Sequence, residues 1–225
     1  MSAAVSDDDG RTTGTGRLVT GLAWVLLLFG LWLWGRGVTD AGAGRPATGD
    51  VLAIGRDADP ARLPRPAKPL AGAVPQRVDI PRLGVQAPVV ARGLDARGAV
   101  DPPPYDQAGV VGWYGAGPEP GAAGAALLVG HVDTATRPAV FYRLSTLKPG
   151  GTVRVFRADG KVAEFTVDDV RVLPRDTFDA HQAYGPRVPG RAELRLITCG
   201  GTFDRAAGSY TANVVVSAYL TRTTG

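Results

Sequence analysis

The sequence predicts an all-β domain, and three observations carry that prediction. From about residue 74 onward, short β-branched runs alternate with Pro and Gly, as in QRVDIPRLGVQAPVV (Gln76–Val90). GGTVRVFRADGKVAEFTVDDVRVL (Gly150–Leu173) alternates apolar and polar residues on both sides of an ADGK turn. Stretches with a helical apolar period are few and short. Many short strands separated by turn residues argue for a closed or sandwich-like sheet rather than a helical layer. At 225 residues with 44% hydrophobic content the chain can build one real core with extensions.

Taken in order, residues 1–16 are polar, carry three consecutive aspartates (Asp7–Asp9) and read as a disordered tail. Residues 17–36 enclose LVTGLAWVLLLFGLWLWG (Leu18–Gly35), which has no charge and is bracketed by Arg17 and Arg36. Eighteen such residues span roughly 27 Å as a helix, close to the ~30 Å hydrocarbon layer, and Trp32 and Trp34 suit an interfacial belt. The run is expected to be a transmembrane anchor. A cleaved signal peptide is the alternative, with Ala41–Ala43 as a small-residue cleavage site. Residues 37–73 are rich in Ala, Gly, Pro and Arg without an apolar period and read as a flexible stalk.

Residues 74–225 form the expected β-domain. Val153 and Val155 fall on one face of a strand, and Phe165 and Val167 answer them beyond the turn. AALLVGHVD (Ala125–Asp133), AELRLITC (Ala192–Cys199) and YTANVVVSAYL (Tyr210–Leu220) are three further strands. PAVFYRLSTL (Pro138–Leu147) is the best helix candidate, with Pro near its first turn.

Cysteine occurs once and histidine twice. Cys199 ends one buried-looking run and His131 ends another, each followed by a loop. Two neighbouring parallel strands would bring them to one rim of a barrel. At ordinary pKa values a thiol is only about 3% thiolate at pH 7 and an imidazole about 24% protonated, so the thiol needs a partner to act as a nucleophile. Arg205, on the loop before the last strand, offers a guanidinium for a developing oxyanion. Arg195 shares a strand face with Ile197 and Cys199 and is the competing choice. Asp133 either orients His131 or is a turn charge. His181 reads as an exposed loop residue, and Asp168 and Asp169 as solvated turn charges. The net charge of +4 is spread without a basic run, which argues against nucleic acid. There is no metal-ligand spacing, phosphate-cradling loop or dinucleotide fingerprint, so no cofactor is expected.

The segments VDIPRLGVQAPVV, LLVGHVD, PAVFYRLSTLKPGGTVRVF, LRLITCGGTFD and SYTANVVVSAYL, in that order behind an anchor, resemble the sortases, most closely the class F type of actinobacteria. The resemblance covers about Val74 to Leu220. It implies an eight-stranded β-barrel with one or two short helices. It also implies a cysteine transpeptidase that cleaves LPxTG-type sorting signals of secreted proteins between Thr and Gly. The resulting thioester passes to a peptidoglycan precursor amine. By position, Cys199 matches the nucleophile and His131 the family histidine, while Thr198 is expected to meet the substrate. In many sortases an arginine opens the last strand, where this chain has Thr211, Ala212 and Asn213; the role is therefore expected to fall to Arg205. The resemblance further implies a cell-membrane location with the catalytic domain outside. The competing expectation is a non-catalytic, membrane-tethered β-domain with Cys199 in its core.

Overall fold

The computed structural model describes residues 63–96 and 98–225. The tail, the apolar run and most of the stalk lie outside the described residues. Among the described residues no helix is long and apolar enough to cross a membrane.

Eight strands close into a barrel: β1 (Pro75–Ile80), β2 (Val85–Arg92), β3 (Val111–Tyr114), β4 (Gly124–Val129), β5 (Thr152–Arg157), β6 (Val162–Pro174), β7 (Ala192–Asp204) and β8 (Ser209–Thr224). Their order around the barrel is β1-β2-β3-β4-β7-β8-β6-β5, with β5 returning to β1. Two pairings are parallel, β2 with β3 and β4 with β7; the others are antiparallel. Closure leaves no free sheet edge, and alternate residues of every strand fill the interior.

The alternation read from sequence is the one that packs. Val153, Val155, Phe165 and Val167 are all fully buried. Val153 stands opposite Phe165 and Val155 opposite Ala163. The ADGK turn closes with the Arg157 amide donating to Lys161 O at 3.0 Å, and Gly160 takes the positive φ of 80° the turn requires. Leu194 and Leu196 of β7 and Val214, Val216, Ala218 and Leu220 of β8 complete the core. The odd-numbered residues of β7 therefore lie on the outer face of the barrel wall.

Pro138–Leu147 is not an α-helix. It is a series of tight turns ending in a 3-10 turn at Leu144–Thr146. Its buried anchors Phe141, Leu144 and Leu147 recur every three residues, and amides bond three residues back, Leu144 to Phe141 O at 3.0 Å and Leu147 to Leu144 O at 3.2 Å. A repeat of three stacks all the anchors in one line on a 3-10 coil, whereas on an α-helix each step of three drifts by about 60°. The one α-helix among the described residues is α1 (Ala180–Tyr184), five residues long and carrying His181. Asp179 caps it, accepting from the His181 and Gln182 amides at 2.9 and 3.1 Å.

The packed structure begins before residue 74. The Ala67 amide donates to Leu220 O and the Leu70 amide to Gly121 O, both at 2.8 Å. The Arg157 guanidinium, fully buried, donates to Ala71 O and Pro120 O at 2.5 Å each. The last part of the expected stalk is thus irregular chain tied to the barrel, held by backbone bonds that leave no periodic trace in sequence.

Candidate active site

The parallel β4–β7 pair sets the site. Val129 is in register with Ile197, and the Gly130 amide donates to Ile197 O at 3.1 Å. Two residues further on, His131, just past the end of β4, and Cys199, still within β7, come at the same level. Gly130 is small because a Cβ there would stand 2.7 Å from Val140 Cγ1 and 2.8 Å from Phe141 Cδ2. That close passage lets the Phe141 amide donate to His131 O at 3.0 Å, fixing the backbone that carries the imidazole. The glycines after Cys199 have the same origin. A Cβ at Gly200 would meet Val214 Cγ2 at 2.6 Å, and Gly201 combines a φ of +76° with an approach of 2.6 Å to Thr211 Oγ1. They allow β7 to bulge and run on to Asp204 close against β8.

Cys199, His131 and Thr198 line one cavity of about 1620 Å³, whose walls include Tyr105, Arg175 and Tyr210. Cys199 is exposed into it. Burial by the cavity walls still pushes the thiol up from its ordinary value; the positive charge of Arg175 opposes that rise and the carboxylate of Asp133 adds to it. Asn213 of β8 stands directly opposite Cys199 and also faces the cavity.

His131 is only 8% exposed. Its Nε2 lies 2.6 Å from Pro103 O, and its ring stacks on Tyr105 with centroids 4.2 Å apart and planes 20° off parallel. A carbonyl only accepts, so Nε2 carries the proton of the neutral ring and Nδ1 is the nitrogen left to take or give one. The segment between β2 and β3 therefore orients the imidazole, which Asp133 does not. Asp133 accepts from the Tyr210 hydroxyl, joining the loop after β4 to the start of β8. That bond, followed by desolvation, pushes the Tyr210 phenol up to about 12.

Neither expected arginine reaches the thiol. Arg205 is exposed at the tip of the β7–β8 hairpin and does not line the cavity. Arg195 lies on the outer face of β7 as alternation requires, but it is 1% exposed and committed elsewhere. Its Nη2 donates to Glu193 Oε2 at 2.5 Å and to Gly185 O at 2.7 Å. Glu193, fully buried, also accepts from the Arg187 and Val188 amides at 3.0 and 2.9 Å and from Arg191 Nε at 2.9 Å. Asp168 and Asp169 are strand residues of β6 rather than turn charges. Asp169 pairs with Arg187 at 2.7 Å, and Asp168 lies 3.5 Å from Arg191. This network pins the connection between β6 and β7 against the barrel. His181, on that connection, is exposed and does not line the cavity, whereas Phe178 and Tyr184 do.

Arg195→Ala is expected to remove the buried one of the two guanidinium groups paired with Glu193, leaving only Arg191, and cost about 3–5 kcal/mol. The chemistry of the molecules that remain folded should be unaffected. A thermal melt read beside kcat/KM per folded molecule separates the two effects; a stable but inactive variant would contradict the structural role. The pH dependence follows from Glu193. Burial raises its carboxyl, but the Arg187 amide, the Arg195 guanidinium and the Val188 amide outweigh it and hold the group below its ordinary value. A depressed carboxyl stabilises the fold above its unfolded value of about 4.3 and loses that contribution as pH falls through the folded value.

A thiol within β7 and an oriented imidazole just past the end of the parallel neighbour β4, both facing one cavity on the wall of a closed barrel, fit a cysteine-dependent acyl-transfer enzyme. A family model for the sortase domain matches residues 78–221, and the chain belongs to the sortase family, cysteine transpeptidases that anchor proteins to the cell wall. Among solved structures, the chain is similar to the SrtA sortase from Actinomyces oris. The two share 20% identity over 71% of this chain and 87% of that one, with a TM-score of 0.52. It is also similar to a lid mutant of sortase A from Corynebacterium diphtheriae, at 19% identity over 72% and 74% of the two chains and a TM-score of 0.50. Both likenesses are of fold. No curated protein sequence matches the chain.

Proposed function

We propose that this sortase is of the class F type and that Cys199, with His131, cleaves LPxTG-type sorting signals between Thr and Gly. The observation that supports the Cys199–His131 pairing most directly is the shared level at which β4 and β7 present the two residues to one cavity. The Cys199 thiol passes its proton to His131 Nδ1, the resulting thiolate attacks the Thr carbonyl carbon, and the C–O π pair moves onto oxygen. As the carbonyl re-forms, the C–N bond breaks and His131 Nδ1 gives its proton to the departing glycine amine. The thioester is then opened by an amine of a peptidoglycan precursor, whose proton returns to His131. Thr198 borders the cavity beside Cys199, but its hydroxyl is closed to solvent on the inward side of β7, opposite Val214, so its contact with the sorting signal would run through its backbone.

Leu18–Gly35 would hold the enzyme in the cell membrane with its barrel outside, where secreted substrates and wall precursors meet. The activity is tested by mass spectrometry of the 225-residue chain incubated with an LPxTG-type peptide and hydroxylamine. A threonyl hydroxamate together with a free Gly-terminal fragment is expected. Hydrolysis between other residues would reassign the sorting motif.

A further inference from the structure

The expected arginines leave the thiol without a cation, but strand pairing supplies one from a part of the chain remote from Cys199 in sequence. Leu173 of β6 stands opposite Asn213 of β8, which stands opposite Cys199 of β7. Pro174 and Gly200 likewise flank Ala212. Residues directly opposed across antiparallel strands share a face, and every second residue returns to it. Arg175 follows Pro174 and stays in step with β8, its amide donating to Thr211 O at 3.0 Å. It therefore lies on the same outer face as Asn213 and Cys199.

Its guanidinium reaches back to β8, the strand adjoining the thiol's own, with Nη1 donating to Tyr210 O at 3.4 Å. Arg175 lines the cavity together with Cys199, His131 and Asn213. Arg137 is the other arginine on that wall, but it belongs to the loop beyond His131 and not to the sheet bearing the thiol. On β8 itself, Thr211 and Ala212 offer no side-chain cation, and Asn213 offers only a neutral amide.

We propose that Arg175, delivered from the end of β6, is the guanidinium that binds the scissile carbonyl at Cys199. The inference rests on the acyl-transfer reading above. One N–H stays on Tyr210 O, and the rest of the planar fork is free to donate to the carbonyl oxygen as it gains charge during attack. The sheet supplies the cation through a pairing between β6 and β8 in place of a residue on β8.

Two reactions of the 225-residue chain test this. The first is alkylation of Cys199 by iodoacetate and by iodoacetamide, which needs no sorting signal. A nearby cation favours the anionic reagent, so Arg175→Gln should lower the iodoacetate-to-iodoacetamide rate ratio by about threefold to tenfold. The second is cleavage of a fluorogenic LPATG peptide, which Arg175→Gln should slow by about 10²-fold. Arg175→Lys should keep the alkylation ratio and recover only part of the cleavage, because an ammonium lacks the fork. Arg205→Gln should leave both reactions as in the parent. An unchanged ratio and unchanged cleavage in folded Arg175→Gln would overturn the assignment, as would a lowered ratio with full cleavage. Transfer of both losses to Arg205→Gln would overturn it in favour of the hairpin tip. Cys199→Ala separates the two levels: cleavage that survives it removes the underlying reading, whereas loss there with full cleavage in Arg175→Gln removes the arginine alone.

Discussion

Cys199→Ala will fold and will not transfer an acyl group. The thiol faces an open cavity rather than the core, so its loss removes little packing and should change stability by about 0.5 kcal/mol or less. The reaction loses its nucleophile, and turnover of an LPxTG-type peptide should drop by at least ~10³-fold. Cys199→Ser should be nearly as inactive, because a hydroxyl is far harder to ionise than a thiol. The measurement is hydroxamate formation by mass spectrometry, with circular dichroism as the check on folding. Appreciable transfer by either variant would end the thioester route. The raised thiol gives a companion pH result. With burial outweighing the charge of Arg175, alkylation of the parent should reach half its plateau rate above the ordinary thiol value of about 8.5. A midpoint well below that value would mean a stabilised thiolate.

His131→Ala should slow peptide turnover by about 10²–10⁴-fold while affecting alkylation much less. Cleavage expels an amine that must be protonated as it leaves; alkylation by iodoacetamide expels iodide, which needs no proton. The contrast isolates the acid role from any general damage to the site. Equal losses in both reactions would point to a collapsed cavity instead. The variant also leaves Pro103 O without its donor, so Tyr105 and the β2–β3 segment should loosen, which circular dichroism in the near ultraviolet would register.

The site divides by the distance over which its information travels. Cys199 and His131 were legible because each is rare and each ends an apolar run at a glycine, a local pattern. Two such runs meet at one rim if their strands are parallel neighbours, and β4 and β7 are. The hairpin of β5 and β6 was legible for the same reason, since alternation and turn chemistry act within a few residues. The helix expected over Pro138–Leu147 failed because a repeat of three and a repeat of 3.6 look alike across ten residues. Only the groups that the Phe141 and Leu144 amides meet decide between them. Residues 64–71 read as stalk because their attachment runs through their own backbone groups, to other backbone groups, the Tyr219 hydroxyl and the buried Arg157 guanidinium.

The sequence alone carried an all-β domain, the thiol and histidine that face one cavity, and the absence of an arginine at the start of the last strand. Only the tertiary structure decided what surrounds them. It placed Arg205 on an exposed hairpin tip, buried Arg195 against Glu193, gave His131 to Pro103 O and Tyr105, and tied Asp133 to Tyr210. It also brought Arg175 to the cavity across β8. A local pattern sets whether a residue points in or out of its own strand. Which side chains meet on a shared face depends on strand order and register, and in a barrel whose neighbours include β4 with β7 and β6 with β8, those are fixed by contacts between residues far apart in the chain.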